Sequence, residues 1–161
     1  VDWGLDEGEE ALLAFTQSII RLRQENPVFR RRRFFAGSAD HGGESELGDI
    51  AWFMPNGEHM DEPAWHNSLA KSVMVFLNGL AIPEPDRRGE RIVGDSFLVM
   101  FNAHSESITF TLPGEEYGRV WIPEVDTAAR EISAEDLEPG WQVEVDARSI
   151  VVLRNPRESD L

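Results

Sequence analysis

Carboxylates are the most abundant reactive groups in this chain. Thirty Asp and Glu stand against 15 Lys and Arg, for a formal net charge of -15 at pH 7. Two carboxyl groups about 5 to 10 Å apart across a cleft suffice for acid, base or nucleophile chemistry at a glycosidic carbon. Asp49, Glu58, Asp61, Glu62, Asp86 and Asp95 are the candidates. Each has a simpler role as a turn former or solvated charge, and sequence spacing pairs no two of them. No catalytic residue is assigned here.

Other chemistries have less footing. His41, His59, His66 and His104 never stand at the three- or four-residue spacing that puts two imidazoles on one helix face. No metal and no other cofactor is expected. The stretches HGGESELG and DRRGERIVG carry glycines, but they lack the Gly-Lys-Ser/Thr ending and following helix of a phosphate loop. Cysteine is absent and no serine sits in a G-x-S-x-G turn, so the common acyl-transfer nucleophiles are missing. Five tryptophans, Trp3, Trp52, Trp65, Trp121 and Trp141, offer flat rings that either fill a core or stack on sugar. Trp121 alternates out of phase with Val120 and Ile122, which points it away from them. Trp121 and Trp141 are therefore the candidate carbohydrate-contacting residues. Trp52 and Trp65 flank a loop rich in Gly, Pro and acids, where an interface suits them better.

The run Arg30 to Arg33, inside RLRQENPVFRRRRFFA, has the look of a nucleic-acid patch. The net charge argues against one, because the long-range field repels phosphate and anionic membrane surfaces. In an extended segment Arg30 and Arg32 face one way and Arg31 and Arg33 the other. Guanidinium forks pair readily with carboxylates. The run is expected to bridge a helix to neighbouring acidic loops.

The elements that position these groups follow from hydropathy. Leu12, Phe15, Ile19 and Leu22 recur at helical steps between Glu9 and Asn26, with Leu13 and Ile20 widening the stripe. Acids gather before it, Arg21 and Arg23 near its end, and Asn26-Pro27 supplies the stop. This spacing predicts a helix made to cover a sheet. Residues 37–70 show no sustained period and are expected to be irregular. Short apolar runs then follow at 72–77, 96–101, 108–112, 120–125, 143–145 and 150–153, separated by turn signals. The fold class predicted is mainly β, an antiparallel β-sandwich preceded by one amphipathic helix. The expected division is 1–36 for the helix and its exit segment, 37–70 for a linker loop and 71–161 for the sandwich.

With 161 residues, 41% of them hydrophobic, the chain can bury a core. No apolar stretch approaches the roughly 20 residues of a membrane span, and there is no basic-then-apolar signal pattern. A cytoplasmic location without nucleic-acid or membrane partners is expected. The first residue is Val and a helix follows almost at once, so a piece of something longer is expected too.

Several motifs carry a family resemblance. LLAFTQSIIRLRQENPVFRRRRFFAG resembles the last helix of the α-amylase-type barrel and the segment that leaves it. DIAWFMPNGEHMDEPAW, KSVMVFLNG and DSFLVMFNAHSESITFTLP, in this order and spacing, resemble bacterial glycogen debranching enzymes of the isoamylase type, in glycoside hydrolase family 13. Asn26 departs from the His often found before that Pro. The resemblance implies a parent α-1,6-glucosidase acting on branch linkages of glycogen or limit dextrin, with its three reactive carboxylates on upstream barrel strands. It also implies that the present helix ends an eight-stranded β/α barrel. The chain alone is then expected to be inactive and to support the barrel. Without that barrel, Leu12, Phe15, Ile19 and Leu22 are left to pack on the sandwich or to drive self-association. The alternative is a stand-alone carbohydrate-binding β-sandwich module, which a coplanar pair of exposed tryptophans would mark.

Overall fold

A computed structural model of the chain describes residues 4–37, 47–67, 70–128 and 136–157. The predicted helix, α1, spans Glu7–Glu25 and opens on a capping box. Asp6 Oδ1 accepts from the Glu9 N–H at 2.9 Å, and Glu9 Oε2 accepts from the Asp6 N–H at 2.9 Å. These reciprocal bonds satisfy donors that the first turn would otherwise leave open. At the other end, the Asn26 N–H and Nδ2 both donate to the Leu22 carbonyl, at 3.2 and 2.9 Å. Pro27 cannot continue the α-helical ladder. The chain therefore tightens into a 3₁₀ turn over Pro27–Arg30.

Seven strands follow among the described residues: β1 (Ile50–Phe53), β2 (Ser72–Leu77), β3 (Ser96–Asn102), β4 (Ile108–Thr111), β5 (Ile122–Asp126), β6 (Gln142–Val145) and β7 (Ser149–Asn155). Five of them form an antiparallel sheet in the order β1-β2-β3-β7-β5, and β4 pairs with β6 in a second. The mainly β sandwich preceded by one long helix is as the sequence predicts. The central strands read as continuous apolar runs because the large sheet is covered on both faces. On one face Met74, Phe76, Leu98, Met100 and Leu153 meet Phe110, Val145 and Trp121 in the sandwich interior. On the other, Phe97, Val125 and Val152 meet Val28 and Ile82, with Ile19, Leu22 and Phe29 against them. Phe29 and Phe97 hold their ring centroids 4.6 Å apart. Asn102 joins the sheets: its Nδ2 donates to the carbonyls of Glu106, Val145 and Asp146 at 2.9, 3.0 and 2.9 Å.

One expectation changes here. Residues 37–70 are not wholly irregular, since Ile50–Phe53 is an edge strand on β2 and Glu62–Trp65 makes one helical turn, α2. A four-residue run just before Met54-Pro55 has no period of its own. Its register sets Ala51 opposite Phe76 and Phe53 opposite Met74, which drives Phe53 into the core. The apolar stripe of α1 is covered in part by the sandwich, one of the outcomes expected. Ile19 and Leu22 pack on the sheet, Leu12 stays 65% exposed, and no α1 residue is fully buried. Trp3 and His41 lie outside the described residues.

Close backbone approach at the end of β2 requires a glycine. A Cβ on Gly79 would sit 2.0 Å from the Asp95 carbonyl oxygen and 2.4 Å from that of Gly94. Because both obstacles are backbone, Gly79→Ala is expected to lower stability by about 1 to 3 kcal/mol, read as a lower urea midpoint at unchanged slope.

Candidate functional site

The segment leaving α1 is held to the sandwich by two buried carboxylates. Arg31 Nη2 donates to Asp49 Oδ2 at 2.7 Å, with side chains only 3% and 2% exposed. Asp49 also accepts from the N–H groups of Ala36, at 3.1 and 3.0 Å, and Gly37, at 2.9 Å. Glu84 Oε1 accepts from the Arg32 and Arg33 N–H groups at 2.7 and 2.6 Å. The guanidinium carbon of Arg31 lies 4.0 Å from the centre of the Phe35 ring. Five residues of a coil are thus fixed by charge-assisted bonds, each stronger than a neutral hydrogen bond.

This geometry answers the arginine question only in part as expected. Arg31 forms the predicted ion pair, but the other neighbours act differently. Arg30 lies in the 3₁₀ turn, so strict alternation does not apply to it. Arg32 and Arg33 engage Glu84 through their backbone, both residues are exposed, and the Arg32 guanidinium also donates to the Pro85 carbonyl at 3.3 Å; Phe34 next to them is 99% exposed. Neither Asp49 nor Glu84 was singled out from sequence as the partner. The only available signal was an Asp directly ahead of an apolar run.

The remaining candidates scatter. Asp61 caps α2 by accepting from the Ala64 N–H at 2.8 Å, and Asp86 closes a turn by accepting from the Arg88 and Glu90 N–H groups at 2.8 Å each. Asp95 pairs with Arg154 at 2.9 Å, Glu58 accepts from Asn56 Nδ2 at 2.8 Å, and Glu62 faces His66 at 3.5 Å on the surface. His59 Nε2 meets the Tyr117 hydroxyl at 2.8 Å. Among the described residues, no group of three or more His, Asp or Glu is placed to hold a metal. The expectation for Trp121 is corrected. It does point away from Val120 and Ile122, but inward, and it is fully buried, so it presents no ring face to a sugar. Trp141 is 53% exposed. Trp52 and Trp65 are both partly exposed and meet edge to face, centroids 5.4 Å apart and planes at 72°.

The family model for "Isoamylase, C-terminal" matches residues 49–155, from the Arg31 partner Asp49 to the last residue of β7. The chain belongs to the isoamylase C-terminal family. The glycogen operon protein GlgX homolog of Mycobacterium tuberculosis is 42% identical over 160 residues, covering 96% of this chain and 21% of that protein. The isoamylase of Pseudomonas amyloderamosa is 26% identical over 125 residues, covering 78% of this chain and 13% of that one. A solved pullulanase from Bacillus acidopullulyticus shares the fold, with a TM-score of 0.52 at 15% identity over 96% of this chain and 15% of that chain. The chain therefore spans about a fifth or less of the length of these relatives.

Asp49 is thus the point where the helical segment is bolted to the isoamylase-type domain. Burial works to raise its pKa, but the Ala36 N–H, Arg31 and the Gly37 N–H together hold it below the ordinary carboxylate range. Glu84 behaves alike, with burial outweighed by the Arg33 and Arg32 N–H groups and the Arg31 charge. Carboxylates depressed by folding stabilise the native state above their unfolded pKa, about 4, and lose that contribution as pH falls through the folded values. Asp49→Ala strands the Arg31 charge and is expected to cost about 3 kcal/mol at neutral pH. In Asp49→Asn the fall of the urea midpoint below about pH 4 is expected to be shallower than in the unaltered chain. Parallel curves would refute the assignment.

Proposed function

We propose that this chain is the C-terminal, non-catalytic portion of a cytoplasmic glycogen debranching enzyme that hydrolyses α-1,6-glucosidic linkages in glycogen or limit dextrin. The observation carrying this reading is the 42% identity along almost the whole chain to a protein nearly five times longer, whose name makes it a homolog of a glycogen operon protein. A name of the same kind, glycogen debranching enzyme, belongs to a Yersinia enterocolitica relative that is 26% identical over 117 residues, covering 73% of this chain and 14% of that protein.

The catalytic barrel of the longer protein is the proposed partner, and its contact surface is the face of the large sheet where α1 docks. Trp52 lies in the same cross-strand row as Val75, Val99 and Val152, so it belongs to that face. Together with Trp65, Phe101 and the outer residues Leu12 and Phe15 of α1, it leaves apolar surface unfilled. Burying such surface returns roughly 25 cal/mol per Å². In the isolated chain the same residues are proposed to drive association between copies. Among the described residues no helix is long and apolar enough to cross a membrane.

A second reading, a sugar-binding module, is favoured by the exposure of Trp141 alone. The steep angle between Trp52 and Trp65 gives no flat two-ring platform.

Incubated with branched limit dextrin, the purified chain is expected to release no reducing ends; steady release would overturn the reading. In sedimentation velocity its mean mass is expected to rise with concentration, and Leu12→Glu with Phe15→Glu is expected to hold it monomeric.

A further inference from the structure

A groove of about 700 Å³ opens at one end of the sandwich. It lies where β2 ends, β3 begins and β7 ends, between three loops, and its volume is that of a small-molecule site. None of its lining residues belongs to the apolar cluster under α1.

The lining has the chemistry of sugar recognition. Arg91, Arg119 and Arg157 line it from separate loops together with Asn155, Glu116 and Tyr117, and Arg91 Nη2 donates to the Leu80 carbonyl. Planar groups with two donors or acceptors side by side match the paired hydroxyls of a pyranose, and an apolar floor takes its C–H faces. That floor includes Leu80, which is exposed, and Val120, which is half-buried. Tyr117 is a fixed wall rather than a mobile one: its hydroxyl meets His59 Nε2 at 2.8 Å, and its ring packs edge to face on Phe53 at 4.9 Å and Phe76 at 5.0 Å. Asn155 is held by donating from Nδ2 to the Val120 carbonyl at 2.7 Å, while Arg157 is anchored through its N–H on Asp95 at 3.1 Å. A prebuilt wall lowers the ordering cost of binding. The mixture of signs selects the ligand. An anion would meet Glu115 and Glu116, and a cation would meet the three guanidiniums, whereas a neutral polyol is served by both.

We propose that this groove binds a neutral α-linked glucan segment, as a holding site apart from any bond cleavage. The glucan class rests on the function proposed above; the neutrality and the site rest on the groove itself.

The test is calorimetric titration of the 161-residue chain with maltotetraose, beside cellotetraose. Saturable binding of maltotetraose is expected, with cellotetraose much weaker. Replacing two exposed rim residues, Arg119→Ala with Glu116→Ala, is expected to weaken binding by about tenfold or more, the scale of losing one hydrogen bond to a charged group. Trp141→Ala is expected to leave it unchanged. Absence of saturable binding, equal affinity for cellotetraose, or sensitivity to Trp141→Ala but not to the rim pair would each overturn the proposal. Dextrin hydrolysis by the chain would overturn the functional reading while leaving the groove intact; an inactive chain that ignores maltotetraose would overturn the groove alone.

Discussion

The arrangement of helix and sandwich depends on one buried charge pair. A guanidinium and a carboxylate, each nearly sealed from water, cannot be separated without stranding a charge in the interior. That penalty ties Arg31 to Asp49 and thereby fixes where the coil after α1 runs. Asp49 then spends its remaining acceptor capacity on the Ala36 and Gly37 N–H groups, and Glu84 takes those of Arg32 and Arg33. A segment with almost no apolar burial of its own becomes part of the folded unit. The contrast with α1 is instructive, since the helix is regular and well capped yet touches the sheet only through its last two turns.

This asymmetry connects local chemistry to function. Helix stability in proteins comes mostly from packing an apolar face, and half of this face is uncovered. The junction keeps the helix in place while leaving its outer residues, and those of the neighbouring sheet face, available to a larger partner. The opposite pattern holds at the loop end of the sandwich, where an array of planar polar side chains lines a groove whose walls are already braced. One molecule thus offers an apolar face suited to another protein surface and a polar groove suited to a hydroxylated ligand.

Much of the fold was legible because its signals were local. The period of Leu12, Phe15, Ile19 and Leu22 with acids ahead of it and Asn26-Pro27 behind it defines α1, and continuous apolar runs ended by turn residues define β2, β3 and β7. β1 was not legible, because a four-residue strand owes its identity to register against β2 rather than to its own pattern. Trp121 shows the limit of alternation: the side it takes can be read, but which side is the core depends on where the second sheet lies. The candidate site was harder still. That an arginine run seeks carboxylates follows from charge, yet choosing Asp49 and Glu84 among 30 acids requires contacts 18 and 51 or 52 residues apart in the chain.

Amide hydrogen exchange on the 161-residue chain tests the central claim most directly. The Arg32, Arg33, Ala36 and Gly37 amides, bonded to buried carboxylates, are predicted to be protected nearly as well as the amides of β3 and β7. Those of the first two turns of α1 are predicted to exchange far faster. If the coil amides exchanged as fast as the start of the helix, the buried carboxylates would not be what holds helix and sandwich together.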